Sequence, residues 1–225
     1  MGRAISEVLP FAIGVAISPV PIIAVILVLL STRARVNGPV FLLGWSAGVA
    51  LVSVVVYLVA DAGDVGTDHD ASDRSYWIKL GLGILLVFLA GRGWRKRPAP
   101  GEAPAAPKWM TAIDTLTPAR AGGVAVLLSA VNPKNLVLSL AAGASLAQAS
   151  VSTGEATAGL IVFVLIATVS IAVPVVSYLG GGERAARMLD SWRTWLSAHN
   201  TAVMAVLFLV FGVVLFSQGL RGLTA

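Results

Sequence analysis

Apolar runs dominate the chain and recur at regular intervals. A hydrocarbon core of about 30 Å takes about 20 residues of α-helix to cross, and six runs reach that length. They cover about 8–30, 39–60, 77–94, 121–149, 157–180 and 201–219. The pattern therefore predicts an all-α integral membrane protein with six transmembrane helices.

Matching breaks interrupt the first and fourth of these segments. Ser-Pro-Val-Pro stands at residues 18–21, and Asn-Pro-Lys-Asn stands at residues 132–135, about half a chain later. With three spans in each half, the second half enters the membrane in the opposite sense to the first. The sequence predicts two inverted-topology three-helix repeats, residues 1–97 and 108–225, related by a pseudo-two-fold axis in the membrane plane.

Two segments between the spans have a distinct composition. Residues 98–107 are rich in proline and cannot pack a core, so they are predicted to join the repeats as an extended cytoplasmic linker. Within the second repeat, apolar residues at about 184–197 recur at helical spacing opposite charged ones. This pattern predicts a helix that lies in the cytoplasmic interface.

Composition supports a membrane protein. The 225 residues are 57% hydrophobic and 12% charged, whereas globular proteins carry about 25% charged residues. So few charges cannot cover a water-facing surface. The net charge of +5 is interpreted as a topology signal, and no nucleic-acid partner is predicted.

Charged loops predict the orientation in the membrane. Residues 61–74 contain five aspartates, whereas residues 92–120 are rich in Arg and Lys. Short loops rich in Arg and Lys stay in the cytoplasm. Segments 31–38, 95–119 and 181–199 are therefore predicted to be cytoplasmic. Both termini and the 61–76 and 150–156 loops are predicted to lie outside the cytoplasmic membrane.

Proline and capping residues at both breaks are typical of new helix starts. Proline in the first turn of a helix costs no hydrogen bond, and Ser and Asn are good caps before it. Ser18 or Val20 can precede a half-helix at Pro19 or Pro21, and Asn132 can cap one at Pro133. Each start would present free N–H groups and a positive dipole end at membrane depth. The alternative is that these prolines only kink packed helices.

Lys134 is interpreted as the one ionisable residue well inside an apolar segment. Such a charge is costly in lipid and is a candidate for function. We predict that Lys134 lines a cavity with Ser18, Asn132 and Asn135, and meets an anionic group of the cargo there. The alternative is a structural lysine bonded to carbonyls that the break leaves free.

Gly44 and Gly48 form a small-xxx-small pair on the second predicted span. Small residues at this spacing let two membrane helices approach closely. The pair is therefore predicted to mark a helix–helix contact rather than a binding site.

Motifs of enzymes are not visible in the sequence. There is no intramembrane carboxylate pair, histidine cluster, glycine-rich phosphate loop or nucleophile elbow. Cysteine is also missing from the composition. We therefore predict no catalytic activity, no metal site and no cofactor.

The breaks and their surroundings resemble a known family. The residues that carry the resemblance are Ser18–Pro21, Leu29 to Arg33, Asn37, Gly44-Trp45, Pro107–Met110, Asp114, Asn132–Leu136, Ala141–Gly143, Trp195-Leu196 and Asn200. They are similar to the GAP family, the glycopeptidolipid or sulfolipid addressing, Sap-like membrane proteins of the lysine exporter (LysE) superfamily. The resemblance implies six spans in two halves. The first motif here is Ser-Pro-Val-Pro, in place of the Pro-Gly-Pro common among amino-acid exporters.

Together, the pattern and the resemblance predict a secondary-type exporter of a small or lipid-linked, anionic solute. A cell-envelope lipid or its precursor is one such cargo. The alternatives are a non-transporting scaffold that assists envelope lipid synthesis or export, and an amino-acid or ion exporter. The predicted partners are membrane lipid and this cargo, and a homodimer is left open.

Overall fold

All regular secondary structure in the computed structural model is helical among the residues it describes, 1–63, 69–95 and 116–224. The helices are α1 (Gly2–Ala16), α2 (Pro19–Leu29), α3 (Ala34–Gly63), α4 (His69–Arg95), α5 (Pro118–Ala130), α6 (Pro133–Ala147) and α7 (Thr153–Thr224). The predicted all-α class is confirmed. The predicted linker at 98–107 lies outside the described residues.

Three helices, α3, α4 and α7, are each long and apolar enough to cross a membrane. Two helix pairs pass the same test only when taken together. The pair α1–α2 is bent by 54°, and the pair α5–α6 is bent by 63°. The described residues thus contain three to five candidate spans.

Both predicted breaks are present, and proline begins the helix that follows each one. Ser18 has extended backbone before Pro19, and Asn132 has extended backbone before Pro133. The Asn132 side chain caps its helix as predicted, by accepting from the Lys134 N–H at 3.2 Å. The Ser18 hydroxyl does not cap α2. The alternative start at Pro21 is wrong, because α2 begins at Pro19.

Helix α7 contains a break of its own. Its 72 residues would extend about 108 Å at 1.5 Å per residue, far more than one membrane crossing. Gly182 interrupts it with φ 52° and ψ −136°, and glycine adopts this positive φ at little cost. The predicted amphipathic segment at 184–197 is helical, but it continues without a break into the last apolar segment. Its location in the interface stays a prediction.

Glycines bring α3 and α5 into close contact. A Cβ atom at Gly44 would lie 2.5 Å from the carbonyl oxygen of Gly122, and one at Gly48 would collide with the hydroxyl of Ser129. The predicted contact is confirmed, and α5 is the partner. Next to it, the buried Trp45 donates its indole N–H to the carbonyl of Ala167 on α7 at 3.1 Å.

A similar contact joins α4 to the part of α7 that follows Gly182. A Cβ atom at Gly83 would lie 2.8 Å from the Gly212 oxygen, and one at Gly212 would lie 3.0 Å from the Gly83 oxygen. The outward faces are apolar: Leu43 is 69% exposed and Phe88 is 64% exposed. Side chains of this kind on an outer face fit contact with lipid tails rather than water.

Contacts between distant residues define the two ends of the helix bundle. At one end, the amino group of Met1 pairs with Glu155, and Tyr76 packs against Gly222. This end therefore holds the start of α1, the start of α4, the start of α7 and the C-terminal residues. At the other end, Asn37 of α3 donates to the carbonyl of Leu116, just before α5. Met1 and Gly222 thus lie at the same end of the bundle.

Candidate functional site

Lys134, in the first turn of α6, reaches across to the break between α1 and α2. Its side chain is buried, and its Nζ donates to the carbonyl oxygens of Gly14 at 2.6 Å and Ile17 at 3.1 Å. The break explains why these acceptors are available. Pro21 has no N–H to offer Ile17. The Ser18 N–H, which an unbroken helix would direct to Gly14, donates to Ala16 at 2.9 Å.

Asn135 connects the two breaks. Its Oδ1 accepts from the hydroxyl of Ser18 at 2.8 Å, across 117 residues of sequence. Its Nδ2 donates to the carbonyl of Leu128 at 3.1 Å, near the end of α5. Asn135 and Ser18 are both buried. We call Ser18, Lys134 and Asn135 the break cluster, because its hydrogen bonds satisfy backbone groups that both breaks leave free.

The charge of Lys134 is held by dipoles rather than by a counter-ion. In the part of the chain that the structure describes, no carboxylate forms an ion pair with it. Its position at the start of α6 adds the positive end of a helix dipole, which disfavours a cation. Carbonyl oxygens offset part of the cost of a buried ammonium group. An ammonium group has three N–H donors, and the two carbonyls engage two of them.

The structure brings three of the predicted site residues together across the two breaks, and the other four lie beside them in the chain without bridging the breaks. Ser18, Lys134 and Asn135 are in contact, whereas the half-buried Asn132 bonds only the backbone of its own helix turn. Pro19 and Pro21 are buried within the first turn of α2, and Pro133 is exposed. Lys134 is 1% exposed and enclosed by protein, so it does not line an open cavity in this structure. Its contacts are those of the structural alternative. Contact with cargo stays a prediction.

Ser139 extends the polar face of α6 and was missed from the sequence. It lies one helical turn after Asn135 and is fully buried. Its hydroxyl has no hydrogen-bond partner among the described residues, and neither has that of the buried Ser145. A polar group left unpaired in an apolar interior is costly. Ser139 stands four residues after Asn135, and this spacing places both on the same face of a helix, so the sequence could have indicated it.

Lys79 is a second buried lysine, although it stands near the beginning of its apolar segment rather than well inside it. Lys79 is 7% exposed, and its Nζ donates to the side-chain oxygen of Gln148 at 2.9 Å. The ammonium group lies 5.9 Å from the ring centre of Tyr76 and interacts electrostatically with Glu7. It was overlooked because it stands near the beginning of its segment. Lys79 is buried because other helices pack against it, and its position within the apolar segment does not show this.

A metal site does not emerge from the described ranges. No group of three His, Asp or Glu side chains within them could hold a metal ion. The chemistry that this part of the chain offers near the breaks is hydrogen bonding and positive charge.

Fold and site together define a class: a membrane-embedded helical protein in which two broken helix pairs meet at a buried lysine. Residues 8–221 match the family described as Sap, sulfolipid-1-addressing protein. The chain belongs to this family. Comparison with curated proteins and with solved structures found no match.

Proposed function

We propose that the protein is a secondary-type exporter of a small or lipid-linked, anionic solute, with a cell-envelope lipid or its precursor as cargo. The observation that carries this proposal is the break cluster, where Lys134 and Asn135 join two broken helix pairs. Secondary transporters bind their substrates at such breaks near the bilayer midplane. The family's name, sulfolipid-1-addressing protein, supports an anionic lipid as cargo.

Six spans in two inverted repeats, as in the lysine exporter superfamily, form part of the proposal. Division of α7 at Gly182 would give two spans, which with α3, α4 and the two bent pairs makes six. The packing has matching parts: α3 packs on the pair α5–α6, and α7 packs on the pair α1–α2. If the proposed repeats were superposed, α3 would correspond to the first part of α7, and the pair α5–α6 would correspond to the pair α1–α2. The two contacts would then be equivalent. The equivalent starts of α2 and α6 at proline support the same symmetry.

In the transport step that we envisage, an anionic group replaces the carbonyls as the partner of Lys134. The third N–H donor of the ammonium group, with the side chains of Asn135 and Ser139, could begin this contact. Loss of the bonds to Gly14 and Ile17 would then free the α1–α2 bend to change. Binding of cargo and opening of the cluster would thus be coupled, as alternating access requires.

Flux through the purified protein tests the proposal. We expect proteoliposomes to move a fluorescent short-chain sulfated glycolipid across the bilayer, measured by chemical quenching of the probe on the outer leaflet. Protein-free liposomes give the background rate. A rate equal to this background would refute lipid export. Uptake of radiolabelled amino acids by the same vesicles tests the amino-acid exporter alternative.

One observation favours the scaffold alternative. Lys134 is enclosed, and its bonds to Gly14 and Ile17 link the two helix pairs without any cargo. In that case the protein would assist envelope lipid synthesis or export through partners, with no catalytic chemistry of its own. A scaffold moves neither the glycolipid nor amino acids in the flux experiment.

The orientation in the membrane is a separate prediction. A single cysteine at Ser152, at the end of the bundle that holds the termini, is expected to react with an impermeant thiol reagent in intact cells. A cysteine at Ala105 is expected to react only after the cells are opened, because the central loop is rich in Arg and Lys. The natural chain has no cysteine, so no background labelling arises. Labelling of Ala105→Cys in intact cells contradicts the orientation.

A further inference from the structure

An open cavity of about 550 Å³ lies at the end of the bundle opposite the termini. It is lined by the turn between α2 and α3, by Pro118 at the start of α5, and by Tyr178 of α7. Its volume is within the range of about 300–1,000 Å³ found for small-molecule sites. The break cluster does not contribute to its lining.

Positive charge is concentrated at this cavity. Arg33 and Arg35 line it, and neither forms an ion pair with any residue that the structure describes. By contrast, Arg187 and Arg193 each pair with an acidic residue on their own helix. Unpaired guanidinium groups at the rim of a cavity are suited to bidentate contact with phosphate or sulfate.

Two helix starts add to the positive potential. The N-terminal ends of α3 and α5 both meet the cavity, at Ala34 and Pro118, and neither helix has an acidic residue in its first turn. Cations near a helix N-terminus are unfavourable unless an anion compensates them. The protein alone therefore carries an electrostatic cost here, which a bound anion would remove.

Apolar surface beside the cavity indicates the source of the anion. Val36, which lines the cavity, is 55% exposed, and Leu30, at the end of α2, is 38% exposed. A free anion has no apolar group that could cover this surface, whereas the acyl chains of a lipid would cover it. Basic pockets between membrane helices are known to hold lipid headgroups.

We propose that Arg33, Arg35 and Tyr178 form a binding site for the anionic headgroup of a membrane lipid, whose acyl chains lie along Val36 and Leu30. The guanidinium groups hold the phosphate or sulfate, and the Tyr178 hydroxyl is a further donor. Lipid binding at this site does not require transport, so the binding test and the export test can fail independently.

Binding to purified protein in a neutral detergent tests the site. Short-chain phosphatidylglycerol is titrated with short-chain phosphatidylcholine as the neutral control and inorganic sulfate as the free-anion control. We expect phosphatidylglycerol to raise the unfolding temperature of the wild type, and the other two to have little effect. A rise with sulfate equal to that with phosphatidylglycerol overturns the assignment to a lipid.

The double variant Arg33→Gln/Arg35→Gln is expected to bind phosphatidylglycerol at least tenfold more weakly, because it loses both charge-assisted contacts to the headgroup. The matched control Arg184→Gln/Arg187→Gln removes the same charge away from the cavity and is expected to retain binding. Equal losses in both variants would show an effect of net charge alone and overturn the site. If the first variant does not fold, the site is tested by crosslinking the wild-type protein to a photoactivatable phosphatidylglycerol. Labelling is expected within residues 30–36, and labelling elsewhere refutes the site.

Discussion

Proteoliposomes that contain Lys134→Gln are expected to move the sulfated probe about tenfold more slowly than the wild type, or slower still. Glutamine carries no charge, and the contact between an ammonium group and an anion contributes about 1.5–3 kcal/mol, which is a factor of ten or more. The amide offers two N–H donors, although it is one bond shorter than the lysine side chain, so it can replace part of the bonding to the carbonyls of Gly14 and Ile17. The variant should therefore fold while transport fails.

Lys134→Met serves as the control for structure. It leaves both carbonyls without a donor at a cost of about 1–3 kcal/mol each, although removal of a buried charge offsets part of that. A lower unfolding temperature is expected for Lys134→Met than for Lys134→Gln. If Lys134→Gln transports at the wild-type rate, Lys134 is structural and the site assignment is wrong.

Gly44→Leu is expected to lose about 3 kcal/mol of stability or more and to yield little folded protein. A Cβ at this position lies 2.5 Å from the oxygen and 3.1 Å from the Cα of Gly122, which are backbone atoms and cannot rotate away. Helices α3 and α5 would have to separate, and overpacking of this kind typically costs about 1–3 kcal/mol even for smaller additions. Yield after size-exclusion chromatography and the unfolding temperature measure the effect.

Gly123→Leu provides a matched comparison on α5. No heavy atom lies within 4 Å of a Cβ atom at this position. Leucine also has the higher helix propensity, by about 0.8 kcal/mol, so we expect normal folding or a slight gain. Similar losses in Gly44→Leu and Gly123→Leu would show that the membrane environment, and not the α3–α5 contact, limits these glycines.

Local chemistry made the breaks predictable from the sequence. Proline lacks an N–H, and a preceding Asn or Ser has non-helical backbone at a helix start, so the beginnings of α2 and α6 follow from residues close together in the chain. The pair Gly44 and Gly48 likewise indicated a helix contact through its spacing alone. Neither prediction requires knowing which residues pack against these positions in the folded protein.

Partners at long range could not be predicted in the same way. The Ser18 hydroxyl was expected to cap its own helix, but it donates instead to Asn135, 117 residues away. Lys79 lies near the start of an apolar segment, and only its contact with Gln148 shows that it is buried. Gly182 is one of three consecutive glycines, and the sequence does not indicate which of them takes the positive φ.

The hydrogen bonds of the break cluster also impose an order on biosynthesis. The ribosome adds Ile17 to the chain 117 residues before it adds Lys134, so the carbonyl of Ile17 enters the bilayer without its eventual donor. An unsatisfied carbonyl in hydrocarbon costs several kcal/mol. Until α6 arrives, water or the insertion machinery has to supply that bond. The amino-terminal half is thus an incomplete unit on its own, and its last backbone bonds form only when the second half joins it.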